Sequence, residues 1–267
     1  MEILDTEALV RTYAPQTEEY RQDPMRAVED YRRVQEFAAE HPDAGRTRVG
    51  NALDLPPSRV RTWLNGGMPD CVRGLHVAQD HGWVPLSETD DVFVGGLNVL
   101  VAWIFSGGSI SVENFSPSFT VDGPTARIRL ESALETAGVE YRVVHEDESG
   151  RATEFRIGEG ETVLGRTLAA LGAPVGEKNV DTDLSLPEYL DDASTAVREE
   201  FVTVYLQNRL SQDQGRTEAR FREERPDAYC EALGGLLDAV LDVEVTVSKQ
   251  NIFLSRWPDC VPRSSGV

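Results

Sequence analysis

The run GGLNVLVAWIFSGGSI at residues 95–110 limits the folds open to this chain more than any other stretch. A helix built from it carries apolar side chains on almost every side, so it must be covered all round by protein. From Val92 to Phe105 it is about 14 residues long, short of the 18 or more that a bilayer span needs, which makes it the central helix of a core. Gly95, Val99, Ala102 and Ser106 recur at i, i+4, i+7 and i+11, a narrow face on which a second backbone can approach closely. A matching helix lies about a hundred residues downstream, at 194–210, STAVREEFVTVYLQNRL, where Val197, Phe201, Val204 and Tyr205 share helical spacing.

Both segments run from apolar helix through small polar residues into alternating strand, at 107–111 and again at 211–222. Residues 100–110, LVAWIFSGGSI, resemble a LAGLIDADG motif followed by Ser-Ile, and 201–211, FVTVYLQNRLS, resemble its second copy. Between them, LGRTL at 164–168, LGAPVGEK at 171–178 and LPEYL at 186–190 are similar to the linker of the homing endonucleases found inside inteins. The resemblance runs from about Val92 to Arg256 through several short matches.

The resemblance implies an α+β fold in which αββαββ is used twice, its two curved sheets forming a saddle under paired central helices. It also implies that DNA lies against the concave face, and that an acidic residue at the end of each helix holds the cutting metals. Here the chain departs from the pattern. Alignment on Gly-Ser-Ile puts Gly107 at the first acidic position, and alignment on Phe201 and Ser211 puts Arg209 at the second. Neither offers the oxygen ligands that a hard divalent cation wants. The nearest downstream acids, Glu113 and Asp213, fall beyond the helix ends. The expectation is a clamp without a metal, a cofactor or catalytic residues, and so not an enzyme, with residual endonuclease activity from unaligned acids left open.

In the second half, residues 216–224 alternate, with Arg216, Arg220 and Arg222 on one face and Ala219 and Phe221 on the other. A helix at 227–241 and a hairpin from 243–247 and 251–256 follow. Arg216, Arg220, Arg222, Lys249 and Arg256 are the side chains expected on the DNA-facing sheet. In the first half, hairpins are expected at 109–121 and 140–157, with helices at 124–137 and 161–171.

The amino-terminal third has a different pattern. Asp23-Pro24 starts a helix whose stripe includes Ala27, Tyr31, Val34 and Phe37. Residues 47–55 then read as a short helix, Pro56-Pro57-Ser58 as a tight turn, and 58–64 as a second short helix ended by Asn65-Gly66-Gly67. With Val49, Ala52, Leu53, Val60, Trp63 and Leu64 inward, residues 46–66 resemble the helix-turn-helix of many regulators and recombinases. Arg59, Arg61 and Thr62 would then face outward near the start of a recognition helix, with Arg46, Arg48 and Arg73 adding phosphate contacts. A plain helical bundle with solvated arginines fits the same pattern. A further helix is expected at 70–81.

Charge sets a condition on these readings. Against 46 acids stand 26 basic residues, a formal net charge of −20, and only Lys178 and Lys249 are lysines. With 40% apolar residues the chain has a real core, so the acidity points to adaptation to concentrated salt, as in a halophilic archaeal protein, rather than to disorder. Nucleic acid is bound by such a chain only where arginines cluster. Cys71, Cys230 and Cys260 are scattered, with no metal-ligand spacing, and no signal peptide or membrane span is legible, so a cytoplasmic protein is expected.

The organisation expected is therefore a helical domain at 1–86, a LAGLIDADG-like α+β domain at 87–257 with repeats near 91–172 and 194–257, and a tail at 258–267. Three functions follow. The first is a non-catalytic binder of double-stranded DNA, a transcriptional regulator and possible homodimer, resembling bacterial sporulation regulators that pair an inactive LAGLIDADG domain with a helix-turn-helix in the opposite order. The second is a divergent LAGLIDADG endonuclease. The third is an interaction module for RNA or protein.

Overall fold

A computed structural model describes residues 2–14, 23–146, 148, 150–210 and 217–261. The chain divides into two compact units, Leu4–Pro85 and the chain from Leu86 onward, with Glu2 and Ile3 belonging to the latter.

The first unit is helical: α1 (Thr6–Arg11), α2 (Pro24–Glu40), α3 (Arg46–Leu53), α4 (Pro57–Leu64) and α5 (Asp70–Asp80). Asp23 starts α2 by accepting from the Met25 amide at 3.0 Å, with Pro24 in the first turn where no amide is needed. Helices α3 and α4 are joined by three residues. Asp54 turns the chain in the left-handed region (φ 57°), and the Leu55 amide reaches back to the Gly50 carbonyl at 2.9 Å. Gly50 leaves room for that return, because a Cβ there would lie 2.8 Å from the Leu55 carbonyl oxygen. Val34, Val49, Leu55, Val60 and Trp63 form the core, flanked by Tyr31, Phe37, Leu53 and Leu64. Ala52, expected inward, is exposed: the turn at Asp54 carries Leu55 under Val49 instead.

In the second unit, strand β1 (Glu2–Leu4) pairs with β2 (Leu86–Ser87). A wide helical turn, Val92–Leu97, runs into α6 (Asn98–Ser106), whose nine residues are all buried. The first sheet contains β3 (Gly108–Ile110), β4 (Pro117–Val121), β5 (Tyr141–Val144) and β6 (Thr153–Ile157), in the order β3-β4-β6-β5 and antiparallel throughout. Helix α7 (Pro124–Thr136) lies between β4 and β5 in the chain, and α8 (Glu161–Ala170) follows β6. After a connector come α9 (Tyr189–Asp192) and α10 (Thr195–Arg209). Strand β7 (Ala219–Arg222), α11 (Asp227–Val240), β8 (Val245–Ser248) and β9 (Asn251–Leu254) complete the unit, with sheet order β7-β9-β8.

Helices α6 and α10 pair closely, as their composition requires. At one end Asn98 Nδ2 donates to the Val197 carbonyl (3.1 Å) and takes the Tyr189 hydroxyl on its Oδ1 (2.8 Å); at the other, Asn208 Nδ2 donates to Ser106 Oγ (2.9 Å). Phe105 meets Phe201 edge-on and stacks with Tyr229, both at 6.0 Å between centroids. The face expected to include Gly95 is shorter than expected. The wide turn at 92–97 shifts the register, so Gly95 meets Thr136 of α7 and Gly96 lies where a Cβ would come within 3.2 Å of the Ala137 amide.

The first half follows the expected order α-β-β-α-β-β. The second has one strand, not two, between α10 and α11 among the described residues, so its sheet has three strands. Arg216 and Asp213 lie outside the described residues. No helix among the described residues is long and apolar enough to cross a membrane.

Candidate nucleic-acid interface

Two basic regions of the second unit differ in what their cations touch. The first is the tip where α6 and α10 end. A helix leaves its last carbonyls without partners and presents the negative end of its dipole, so cations collect there. Arg225 Nη2 donates to the Phe105 carbonyl, and Lys178 Nζ donates to the carbonyls of Ile104 and Gly108. Glu223, fully buried, sits between Arg209 Nε at 2.7 Å and Arg225 Nε at 2.9 Å. Arg209 also donates to the Arg222 carbonyl at 2.8 Å. Burial pushes the Lys178 ammonium down to about 7, helped by repulsion from Arg225 and Arg209 and opposed by Glu223.

At the positions aligned with the family's acids, Gly107 ends α6 and Arg209 ends α10. A Cβ on Gly107 would have Asn208 Nδ2 at 3.4 Å, so it is Asn208 that faces Gly107, while Arg209 turns to Glu223. Glu113 is exposed in the β3–β4 loop. Among the described residues, no group of three or more His, Cys, Asp or Glu side chains is close enough to hold a metal ion. Lys178, Glu223 and Arg225 were not among the residues singled out from the sequence. One signal was available, since Lys178 is one of only two lysines in the chain.

The second region is the outward face of β7-β9-β8. Alternation puts Ala219, Phe221, Ile252 and Leu254 in the core. Outward stand two rows fixed by the register: Arg220, Phe253 and Thr246, then Arg222, Asn251 and Ser248. Arg220 has no side-chain partner among the described residues, while Arg222 Nη2 lies 3.3 Å from Glu224 at the end of the strand. Lys249 is exposed in the two-residue β8–β9 turn with φ 53°. Arg256, expected on this face, is not part of it. It shares the parity of the buried Ile252 and Leu254, lies beyond the strand end, and its guanidinium pairs with Asp242 Oδ2 at 3.1 Å.

The first sheet carries outward arginines too, Arg142 and Arg156, which face each other across β5 and β6. They were missed because 140–157 reads as a hairpin without showing which side is solvated. Arg156 is already neutralised: Glu154 accepts from its Nε at 3.0 Å and from Ser118 Oγ at 2.6 Å. The bond from Arg156, more than that from Ser118, holds the Glu154 carboxyl below its usual range against the opposing effect of burial.

In the helical unit, Arg46, Arg48, Arg61, Thr62 and Arg73 are exposed. The four arginines among them have no side-chain partner among the described residues. Arg59 differs from the expected outward residue. It is half-buried, its guanidinium 5.8 Å from the Trp63 ring centroid and its Nη1 3.9 Å from the buried Asp30, which Arg26 (3.9 Å) and Arg33 (3.3 Å) also approach. A buried carboxylate needs cations, and Asp30 draws Arg59 inward.

Neither protein-family models nor curated proteins give a match to this chain. Solved structures give faint ones. The N-terminal LAGLIDADG domain of DUF199/WhiA aligns at 13% identity over 65% of this chain and 80% of that one, with a TM-score of 0.38. I-DmoI in complex with DNA and Mn aligns at 13% identity over 60% and 89%, with a TM-score of 0.41. Mesophilic variants from the homing endonuclease I-DmoI align at 12% identity over 62% and 83%, with a TM-score of 0.38. At these scores the likeness is one of outline, and the fold rests on the topology described above.

Proposed function

We propose that this chain binds duplex DNA without cutting it and serves as a transcriptional regulator, the first of the three functions drawn from the sequence. The observation that carries the proposal is the outward face of β7-β9-β8. In a chain of net charge −20, Arg220, Arg222 and Lys249 project to solvent from this face, Arg220 without a side-chain partner among the described residues and Arg222 3.3 Å from Glu224, with Glu218 and Glu244 exposed where the strands begin. An acidic protein repels a polyanion on average, so a local group of cations such as this one is what a phosphate backbone would need to meet. The helical unit supports the same reading. Its two short helices and tight turn suit a helix-turn-helix, with Arg61 and Thr62 exposed for base edges and Arg46, Arg48 and Arg73 for phosphates. Cations at the α6–α10 tip, where Mg²⁺ would need oxygen ligands, favour binding over cleavage. The acidic surface suits a protein working in concentrated salt within the cytoplasm.

The test is fluorescence anisotropy with a mixed-sequence duplex across a range of KCl concentrations. The full chain is expected to bind with a steep salt dependence, and Arg220→Ala to lower the log–log slope by about 1, roughly one per lost phosphate contact. Absence of binding at every salt concentration overturns the proposal. Incubation with supercoiled plasmid and Mg²⁺ or Mn²⁺ tests the non-catalytic half. Nicking that disappears in Glu113→Ala or Asp213→Ala would make the protein an endonuclease. A genome-wide binding map tests regulation: sites confined to gene interiors count against it.

A further inference from the structure

We infer that the second unit binds an amphiphilic organic cation, an amine with an apolar body, in a cavity lined by the first half of α10, the segment after α11 and the chain beyond β9. The inference stands apart from the proposed binding of DNA. The cavity has a volume of about 550 Å³, within the range of small-molecule sites. Val94, Val202, Val240, Leu241, Val243 and Pro258 supply its apolar wall. Val94, Val240, Leu241 and Val243 are only half-buried, and they converge on one hollow. A single exposed aliphatic side chain needs no partner, whereas a wall of them gains from one. Asp242 and Val243 lead into β8 and Arg256 follows β9, so the ligand would sit at the end of the second sheet opposite the Lys249–Gln250 turn.

Charge decides what that ligand is. Four carboxylates border the cavity, Glu199, Glu200, Asp242 and Asp259, against one cation among the described residues, Arg256. Two are neutralised within the protein: Asp242 Oδ2 pairs with Arg256 at 3.1 Å, and Glu200 with Arg129 of α7 at 2.7 Å. Glu199 and Asp259, both exposed, have no ion-pair partner among the described residues. The remaining polar side chains, Thr203 and Cys260, share a hydrogen bond. The cavity therefore combines an apolar wall with two uncompensated negative charges. It repels carboxylates and phosphates and draws an ammonium. Attraction to an exposed carboxylate is modest and screened by salt, so the apolar body of the ligand supplies most of the affinity and the charge supplies the selection. An inorganic cation meets only the carboxylates and leaves the wall wet.

The test is isothermal titration calorimetry of the full chain, at one KCl concentration, with three probes that share an alkyl body: octylammonium, octanol and octanoate. Octylammonium is expected to saturate one site per chain, with octanol weaker and octanoate weaker by about tenfold or more. Glu199→Gln with Asp259→Asn is expected to lower the affinity for octylammonium roughly three- to tenfold and to leave octanol unchanged. The same charge removed from the exposed surface of the helical unit, Glu29→Gln with Glu40→Gln, should change neither, which separates the cavity from the general pull of an acidic chain. Ala196→Trp, which sets an indole at the cavity wall, should abolish binding of both. Glu199 and Asp259 are exposed, so their paired variant should melt with the native protein and tests the inference even where the tryptophan variant does not fold. Absence of saturable octylammonium binding, octanoate binding as tightly, equal losses in the two pairs of charge variants, or full affinity in folded Ala196→Trp each overturns the inference. None of these results bears on the binding of DNA.

Discussion

The tip of the α6–α10 pair and the outward face of the second sheet are both basic, yet they hold their charges in opposite states. At the tip every cation has a protein acceptor: Arg209 and Arg225 share Glu223, Arg225 also caps the Phe105 carbonyl, and Lys178 caps Ile104 and Gly108. On the sheet Arg220 has none among the described residues. Positive residues are therefore a poor guide to a binding surface until their internal acceptors are known. The tip's cations hold a helix end in place, whereas Arg220 on the sheet is free for a ligand.

The largest expected effect tests the structural side of this contrast. Arg225→Met removes one of the two partners of buried Glu223 and uncovers the Phe105 carbonyl. It is expected to destabilise the protein by about 3–5 kcal/mol in urea unfolding while leaving DNA affinity within about twofold wherever the variant is folded. A large loss of affinity in folded Arg225→Met would erase the distinction. The change Arg220→Ala is the converse. Its stability should stay within about 0.5 kcal/mol of native while the salt slope falls by about 1.

A smaller effect is expected from Lys178. Its folded pKa is lowered from 10.5 to about 7, so between these values the unfolded chain binds a proton that the folded chain releases. Stability should therefore rise as pH increases from about 7 to 7.5, a window below the ordinary thiol and phenol values of about 8.5 and 10. Burial raises the pKa of Cys71, Cys230, Tyr205 and Tyr229, so those groups act in the opposite direction at higher pH. Lys178→Met should flatten the rise, as read from urea midpoints at the two pH values. The smallest effects belong to the first sheet. Glu154→Gln releases Arg156 and should steepen the salt slope by about 1, whereas Arg156→Ala, already neutralised in the native protein, should change affinity less than about twofold.

What was legible in the sequence follows the range of the forces involved. The α6–α10 pair could be read from residues 95–110 and 194–210, because a helix apolar on all sides has to be covered, and alternation at 216–224 gave the face of Arg220 and Arg222. Register beyond a strand end was not legible, which is why Arg256 was expected on the wrong side. The tip could not be assembled either: Lys178 comes from a connector and Glu223 and Arg225 from the turn before α11, and no spacing rule joins them to Phe105. Asp30 is a similar case, since its pull on Arg59 acts between helices 29 positions apart in sequence. Strand β1 is three residues long, too short to show a period.

The turn between β8 and β9 has one further consequence. Only Lys249 and Gln250 separate the paired Ser248 and Asn251. Adding or removing a single residue there would turn Ile252 and Leu254 toward water and Phe253 toward the interior. Whatever this face binds, a change of preference is therefore open to it by exchanging side chains in place, while changes in loop length are closed to it.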